Sequence, residues 1–324
     1  MSAPSIGLVL GAGGVVGAAY HAGVITALAE SAGWDARRAA VIVGTSAGSG
    51  IGATVRAGFP PQDFLARATD QALSSEGAAL IAGAPPVVGL PRRGPRRPGI
   101  PRPVAPWLLG SMLGWPPRVR PGPALAGLLP AGTVPTAVVG DRIRAIYGER
   151  RWPDEPLWIC ALRLTDGVRV VFGRDEAEAP DIGTACEASS AIPGFFQPVH
   201  IGHHRYVDGG AYSPTNADLV AGLALDAVVV VSPMSTVRSA LRIPSANSAG
   251  RRLAGAVLAR EVRAIRASGT PVLTLQPTAA DVRVMGVNAM DPARRTAVAR
   301  QAFESAQRRL ADARAADLVA LLRG

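Results

Sequence analysis

The stretch AAVIVGTSAG, residues 39–48, decides the fold that the sequence predicts. Its apolar, β-branched run through Val43 is typical of a buried strand. The run ends at Gly44, and Ser46 lies between that glycine and Gly48. A helix-like segment follows. The stretch therefore predicts a strand, a sharp turn that carries a serine, and a helix.

The same order of elements occurs once before in the chain. An apolar run, Ile6 to Leu10, ends in a glycine cluster, and residues 18–30 carry apolar side chains at helical spacing. Two strand–turn–helix units within the first 50 residues predict an α/β fold, in which helices flank a central, mostly parallel sheet. Further predicted elements are strands at 157–164, 168–172, 228–231 and 272–275, and a C-terminal surface helix at about 292–322.

The composition is that of a folded protein. The chain has 324 residues, 34 basic and 24 acidic side chains and a formal net charge of +10, and its 48% of hydrophobic residues exclude a disordered chain. The two cysteines, Cys160 and Cys186, cannot form a disulfide framework or a four-ligand zinc site. The N-terminal residues lack the positive region of a signal peptide, and no apolar run reaches the roughly 20 residues of a membrane span. We therefore expect a cytoplasmic protein with neither metal nor cofactor. Its length fits two domains or one large α/β domain, and we expect the latter, over residues 1–324.

The segment 77–140 differs from the rest because it contains no aspartate or glutamate. Within it, residues 85–123 are rich in proline, which predicts an irregular insertion. Tryptophans at 107 and 115 suit the interface between water and lipid, as do the arginines of this part, which attract anionic head groups. We predict a lid or interfacial loop over Ser46, with a solvated insertion as the alternative. No nucleic-acid partner is predicted, because no recognised nucleic-acid-binding motif accompanies the positive charge. The arginines are Arg92, Arg93, Arg96, Arg97, Arg102, Arg118 and Arg120.

Residues 44–48 match the pattern G-x-S-x-G in the context that a nucleophilic serine needs. A serine on a sharp strand-to-helix turn requires close, strained backbone, and glycines at both flanks permit it. The N-terminus of the following helix offers N–H groups and a positive dipole to a developing oxyanion. The alternative is a serine that caps the helix in a glycine-rich loop and has no catalytic role.

The earlier glycine cluster, residues 11–17, has three interpretations. A dinucleotide-binding loop would require an acidic residue at the end of the next strand, and that strand ends Val43-Gly44-Thr45. An oxyanion hole would use the backbone amides of Gly13, Gly14 and Val15. A tight turn would use Gly11 and Gly17 only for packing. Because the glycine turn and the serine turn follow parallel strands, both are expected at the sheet edge where ligands bind.

A nucleophilic serine needs a general base, and the sequence offers two kinds. The first is a late histidine preceded by an acid such as Asp181, but residues 203 and 204 resemble a polar turn, and His21 resembles a packed helix residue. The second is Asp208, followed by Gly209 and Gly210, which is also a good turn sequence. A site that uses this aspartate must desolvate it or contact it specifically, because an ordinary aspartate is a poor base at neutral pH. The late histidines are His200, His203 and His204.

Together, the glycine loop, the G-x-S-x-G serine and the Asp-Gly-Gly turn, in this order, resemble the patatin-like phospholipases. The resemblance implies a patatin-like three-layer fold and a Ser–Asp dyad, with Ser46 as nucleophile and Asp208 as base. It also implies that Gly13, Gly14 and Val15 form the oxyanion hole. Residues 191–199 and 284–291 resemble family segments as well. The chain departs from the family at Val16, where an arginine or lysine is usual, and at Ala12, where a glycine is frequent.

The resemblance implies a serine acyl-ester hydrolase of the lipase or phospholipase type, which acts on lipid-like esters through an acyl-enzyme and needs no cofactor. Three alternatives remain open. They are an acyltransferase with the same dyad, a catalytically silent lipid-binding protein, and a nucleotide-dependent oxidoreductase that uses the glycine loop. Residues 85–123 add the expectation of peripheral contact with a membrane.

Overall fold

The computed structural model describes residues 3–85, 102–175, 180–237 and 248–324. Within these residues one sheet of eight strands forms the centre of the fold. Its hydrogen-bonded order is β5-β6-β3-β2-β1-β7-β8, and β4 pairs with β3. The strands are β1 Ile6–Leu10, β2 Val41–Thr45, β3 Leu157–Arg163, β4 Arg169–Phe172, β5 Val199–Ile201, β6 His204–Asp208, β7 Ala227–Val231 and β8 Val272–Leu275.

The predicted central, mostly parallel sheet is confirmed. The four ladders that join β3, β2, β1, β7 and β8 are parallel, whereas β4, β5 and β6 pair in the antiparallel sense. Strand β1 is buried along its whole length, as expected for a strand covered by helices on both faces.

Helices lie on both faces of this sheet. Leu8 and Leu10 face the larger core, together with residues of α1, α2, α8 and α11, and Val9 faces a second core with residues of α9. Among the described residues no helix is both long and apolar enough to cross a membrane. The helices are α1 Gly14–Ala32, α2 Ala47–Arg56, α3 Pro61–Ala68, α4 Ser75–Ile81, α5 Trp107–Leu113, α6 Pro121–Leu128, α7 Ala137–Tyr147, α8 Ile182–Ser190, α9 Ser248–Ala267, α10 Ala279–Met285, α11 Arg295–Leu310 and α12 Ala316–Arg323.

The C-terminal segment differs from the predicted single surface helix at 292–322. It forms two helices, α11 and α12, and Asp312 caps the turn between them by accepting a hydrogen bond from the Arg314 backbone. Helix α11 packs tightly on α1, since a Cβ at Gly23 would lie 2.2 Å from the Ala299 carbonyl oxygen. The small residues of both helices permit this approach, in which α11 buries one side, including Val298 and Leu310, and leaves the other side exposed.

The segment 77–140 is also more regular than predicted in its described parts, residues 77–85 and 102–140. Helix α6 begins at Pro121. A proline is compatible with this position, because the first turn of a helix does not need its N–H group. Helices α5 and α6 bury Leu108 and Ala124 against Leu162 and Val207 of the sheet. The expectation of irregular structure is therefore wrong for residues 102–123. The part of the predicted lid that carries the four arginines at 92–97 lies outside the described residues.

Candidate active site

Strands β2 and β6 meet end to end on one edge of β3. Thr45 pairs with Cys160, and Asp208 pairs with the next residue, Ala161. Strand β4 pairs with both of these β3 residues and therefore occupies the other edge. Because β2 runs parallel and β6 antiparallel to β3, their carboxyl ends point toward each other. This arrangement places Ser46, which follows β2, beside Asp208.

Ser46 occupies a strained turn between β2 and α2. Its backbone has φ 55° and ψ −122°, a conformation that residues with a Cβ rarely adopt. The flanking glycines are required by close packing, since a Cβ at Gly44 would lie 2.6 Å from Ser49 Cα. A Cβ at Gly48 would lie 2.0 Å from the Leu10 carbonyl oxygen. The predicted strand–turn–helix geometry around the serine is therefore present.

Hydrogen bonds hold the backbone of Ser46 in this conformation. Its N–H donates to Ser189 Oγ at 2.9 Å, and the Ser189 hydroxyl donates to the Cys160 carbonyl oxygen at 2.7 Å. The Ser49 hydroxyl donates to the Ser46 carbonyl oxygen at 2.6 Å. Sequence reasoning missed Ser189, although its place directly before the family-like segment 191–199 was an available signal.

Asp208 is buried at the end of β6. Its Oδ1 accepts a hydrogen bond from the Gly210 N–H at 2.7 Å. Burial raises the pKa of the carboxyl group to about 6, and hydrogen bonding by the Ser46 side chain and the Gly210 backbone opposes this rise. Gly209 is needed because a Cβ there would lie 2.3 Å from the Cys160 carbonyl oxygen. The desolvated environment that a basic aspartate requires is thus present.

The glycine loop presents three consecutive backbone amides without partners. On both sides of them, backbone N–H groups donate within the protein, at Gly11 to Val231, Ala12 to Pro214, Val16 to Ala289 and Gly17 to Gly13. Among the described residues no hydrogen bond uses the N–H groups of Gly13, Gly14 or Val15. Gly14 has φ +62°, and a Cβ there would lie 2.7 Å from the Ala289 carbonyl oxygen. Three N–H donors without a described partner therefore lie together at the start of α1, which is the arrangement that an oxyanion hole requires.

The structure does not assemble the alternative triad with a histidine. His204 begins β6, four residues from Asp208 and so roughly 13 Å away along the strand. Its Nδ1 lies 3.2 Å from the Thr165 hydroxyl. Asp181 caps α8 and is paired with Arg144. His200, His203 and His204 belong to the β5–β6 hairpin, where the predicted polar turn is found.

His21 supports the glycine loop from α1. Its Nε2 lies 2.7 Å from the Gly11 carbonyl oxygen, and burial lowers the pKa of the ring to about 4. The ring is therefore neutral near pH 7, and Nε2–H donates to this carbonyl. The prediction of a packed helix residue is borne out by its complete burial.

The sequence matches the patatin-like phospholipase family over residues 8–221. The chain belongs to this family. Among solved structures, it is similar to VipD from Legionella pneumophila, with 13% identity and a TM-score of 0.46 over 96% of this chain and 67% of VipD. It is also similar to the type III effector protein ExoU, with 19% identity and a TM-score of 0.37 over 95% of this chain and 53% of ExoU. No curated protein matched the sequence.

At position 16, where the family usually has an arginine or lysine, this chain has a buried valine. The Val16 side chain is buried in the larger core, and its backbone N–H donates to Ala289 at 3.0 Å. Ala12 lies against the Asp208 turn, where a Cβ at Gly210 would be 3.3 Å from Ala12 Cβ. In this patatin-like protein, position 16 therefore supplies packing rather than charge.

One polar loop, residues 213–217, follows the Asp208 turn and contacts both the serine turn and the glycine loop. Asn216 Nδ2 donates to Thr45 Oγ1 at 3.0 Å, directly before the serine, and the Pro214 carbonyl oxygen accepts from Ala12 of the glycine loop at 2.8 Å. The buried Glu261 carboxylate anchors the loop by accepting from the Ser213 and Thr215 hydroxyls and the Ala217 N–H. Sequence reasoning missed this brace, for which the polar run after the Asp-Gly-Gly turn was the signal.

A cavity of about 380 Å³ begins beside the serine turn. Its lining includes Val15 of the glycine loop and Ala47, which follows Ser46. Met290 of the family-like segment 284–291 lines it as well. The walls come mainly from apolar side chains of α1, α2, α3 and α7. Its volume lies in the range of small-molecule sites, and its walls suit an acyl chain.

Metal ligands are not clustered in the described residues. No group of three or more histidine, cysteine, aspartate or glutamate side chains there is placed to hold an ion. Cys160 and Cys186 are free and buried, and burial raises the pKa of both thiols to about 12. Neither thiol is a reactive nucleophile in this environment.

Proposed function

We propose that the protein is a serine acyl-ester hydrolase that acts on lipid-like esters through a Ser46–Asp208 dyad. The observation that carries the proposal is the strained Ser46 turn beside a buried Asp208 whose pKa is raised to about 6. The free amides of the glycine loop and the apolar cavity support it. Membership of the patatin-like phospholipase family is consistent with lipid acyl hydrolysis.

In the proposed reaction Ser46 Oγ attacks the acyl carbon of the ester while its proton passes to Asp208. The amides of Gly13, Gly14 and Val15 donate to the oxyanion of the tetrahedral intermediate, where one such donor is typically worth about 2.7–4 kcal/mol. The bond to the alcohol then breaks, and the alcohol leaves with the proton from Asp208. In the second half, Asp208 takes a proton from water, the water oxygen attacks the acyl-enzyme, and Ser46 regains its proton as the acid leaves.

Two alternatives share the site. An acyltransferase would form the same acyl-enzyme and pass the acyl group to an acceptor other than water, so identification of the products separates it from a hydrolase. A silent lipid-binding protein would keep the cavity but have no activated serine. The dinucleotide interpretation is less favoured, because the next strand, β2, ends in Thr45 without the acid that would bind a ribose.

A fluorophosphonate probe tests the proposal directly. We expect one adduct on wild-type protein by intact mass, mapped to Ser46, and its absence in Ser46→Ala. Ser111→Ala, a control on α5, should react like the wild type. A folded wild-type protein that gives no adduct, with or without detergent micelles, would refute the dyad and favour the silent binder.

We also propose that α5 and the residues after it form a peripheral membrane contact. Trp115 and Leu113 are 95% and 72% exposed, and Arg102 and Arg118 are exposed nearby in sequence, in a segment without acidic residues. Aromatic and basic side chains in this combination suit an anionic lipid surface. The segment lies next to the Asp208 turn, since a Cβ at Gly122 would lie 2.2 Å from the Ala211 carbonyl oxygen. This position is consistent with the predicted role as a lid over Ser46.

Flotation with vesicles tests the membrane contact. Wild-type protein should float with vesicles that contain phosphatidylglycerol and less with phosphatidylcholine alone. The double substitution Leu113→Ser and Trp115→Ser should reduce flotation, whereas Leu253→Ser on α9, a control at 71% exposure, should not. Equal flotation of all three proteins would overturn the assignment of the surface.

A further inference from the structure

Three arginines line the otherwise apolar cavity beside Ser46. Arg67 comes from α3, Arg142 from α7 and Arg295 from the start of α11. No aspartate or glutamate is among the cavity-lining residues that the structure describes. A cavity with mostly apolar walls and positively charged side chains suits a ligand that has both a hydrocarbon part and a negative charge.

The three guanidinium groups differ in the partners that they have within the described part of the protein. Arg295 is paired with the Asp70 carboxylate, and Arg67 lies over the ring of Phe59 at 5.8 Å. The Arg142 guanidinium group on α7 makes no hydrogen bond or ion pair with any described residue. Burial and the neighbouring charge of Arg295 lower its pKa. Among the described residues this half-buried cation has no counter-charge, an arrangement that costs free energy unless an anion binds.

We propose that Arg142, with Arg295 beside it, binds an anionic group of the substrate, a phosphate monoester or a carboxylate. A guanidinium group matches both anions in a bidentate manner. The cavity follows α2 from Ala47, next to the nucleophile, to Thr54, a distance of roughly 10 Å along the helix. Arg142 lines the same cavity, so a ligand that fills it contacts both Arg142 and the residue beside Ser46. The inference rests on the proposed function, because it assigns the substrate class of the same site.

The anion has two sources, and paired substrates distinguish them. In the first pair, 1-oleoylglycerol and 1-oleoylglycerol 3-phosphate, the charge is on the alcohol part. In the second pair, p-nitrophenyl hexanoate and mono-p-nitrophenyl adipate, it is on the acyl part. Wild-type protein should prefer the anionic member of one pair by about ten-fold or more in kcat/KM, as a charge-assisted hydrogen bond provides.

Substitution of Arg142 then tests whether the preference for the anionic ester arises in the cavity. Arg142→Gln should reduce the ratio of kcat/KM between the anionic and the neutral ester about ten-fold, mainly through KM of the anionic ester. Arg300→Gln, a matched control at an exposed position of α11, should keep the wild-type ratio. A ratio that Arg142→Gln leaves unchanged in both pairs would overturn the inference.

A binding measurement separates this inference from the proposed hydrolysis. With Ser46→Ala protein, calorimetry should show binding of hexyl phosphate or hexanoate in preference to hexanol. The additional substitution Arg142→Gln should remove this preference, and inorganic phosphate as competitor tests whether the anion alone suffices. Binding that depends on Arg142 in a protein that hydrolyses no ester would refute the proposed function only. Hydrolysis with no anion preference in binding would refute the anion site only.

Discussion

We expect the substitution Asp208→Asn to stabilise the protein above neutral pH while it abolishes ester hydrolysis. Burial raises the pKa of the Asp208 carboxyl from 3.8 to about 6, so the folded state holds the proton more tightly than the unfolded chain does. The free energy of unfolding must therefore fall as the pH rises from about 4 to about 6. The difference between the two pKa values corresponds to about 3 kcal/mol.

Asparagine removes this cost without a change of shape. Its amide oxygen can accept the hydrogen bond from the Gly210 N–H, which is 2.7 Å from Oδ1 of the aspartate. Urea unfolding of wild type and variant at a series of pH values measures the difference. The gain of Asp208→Asn over wild type should be smallest near pH 4 and should grow by about 2–3 kcal/mol by pH 8.

An exposed aspartate provides the matched control. Asp154→Asn should show no comparable gain with pH, because this side chain lies at the surface. Should the gain of Asp208→Asn be independent of pH, or should it decrease as the pH rises, the carboxyl group does not have a raised pKa. The argument for Asp208 as a base near neutral pH would then be refuted, whatever the activity of the variant.

Three further predictions follow from the site. The value of kcat/KM for a neutral ester should rise with pH to a plateau, with a midpoint at about 6, because the base acts only when ionised; a flat pH profile from 5 to 8 would contradict this role. Ser189→Ala removes the acceptor of the buried Ser46 N–H, so the free energy of unfolding should fall by about 1–3 kcal/mol, and unchanged stability in urea would speak against this hydrogen bond. Gly48→Ala brings a Cβ within 2.0 Å of a backbone oxygen of β1 and should yield little folded protein by circular dichroism. Gly50→Ala on the same helix, with no atom within 4 Å of the new Cβ, should fold and gain up to about 1 kcal/mol.

The first 50 residues show how far local sequence pattern reaches. The predicted strand Ile6–Leu10 has these bounds in the structure, and the predicted strand before the serine is displaced by two residues, to Val41–Thr45. These predictions succeed because an apolar run that ends in glycines has few conformations available other than a buried strand and a turn. The glycines around Ser46 are likewise explained by their backbone contacts.

The predictions that are wrong concern segments whose surroundings decide their structure. Residues 85–123 were expected to be irregular because of their prolines, yet in their described part Pro121 begins a helix whose apolar side the sheet covers. Residues 292–322 were expected to form one surface helix, yet they form two, α11 and α12, separated by a turn that Asp312 caps. Neither outcome is visible in local periodicity, because the partner surfaces are distant in the sequence.

The sequence by itself determined the order of strand, turn and helix, the glycines that the serine turn requires, and the residue types of a serine site. Only the tertiary structure shows which of the candidate bases lies beside Ser46. The pairing of β2 and β6 with successive residues of β3 places Asp208, and not His204, beside Ser46. The raised pKa of Asp208 depends equally on the fold, as does the position of the Arg142 guanidinium group, which has no ion-pair partner among the described residues. Desolvation and the proximity of charges arise from residues that are far apart in the chain and adjacent only after folding.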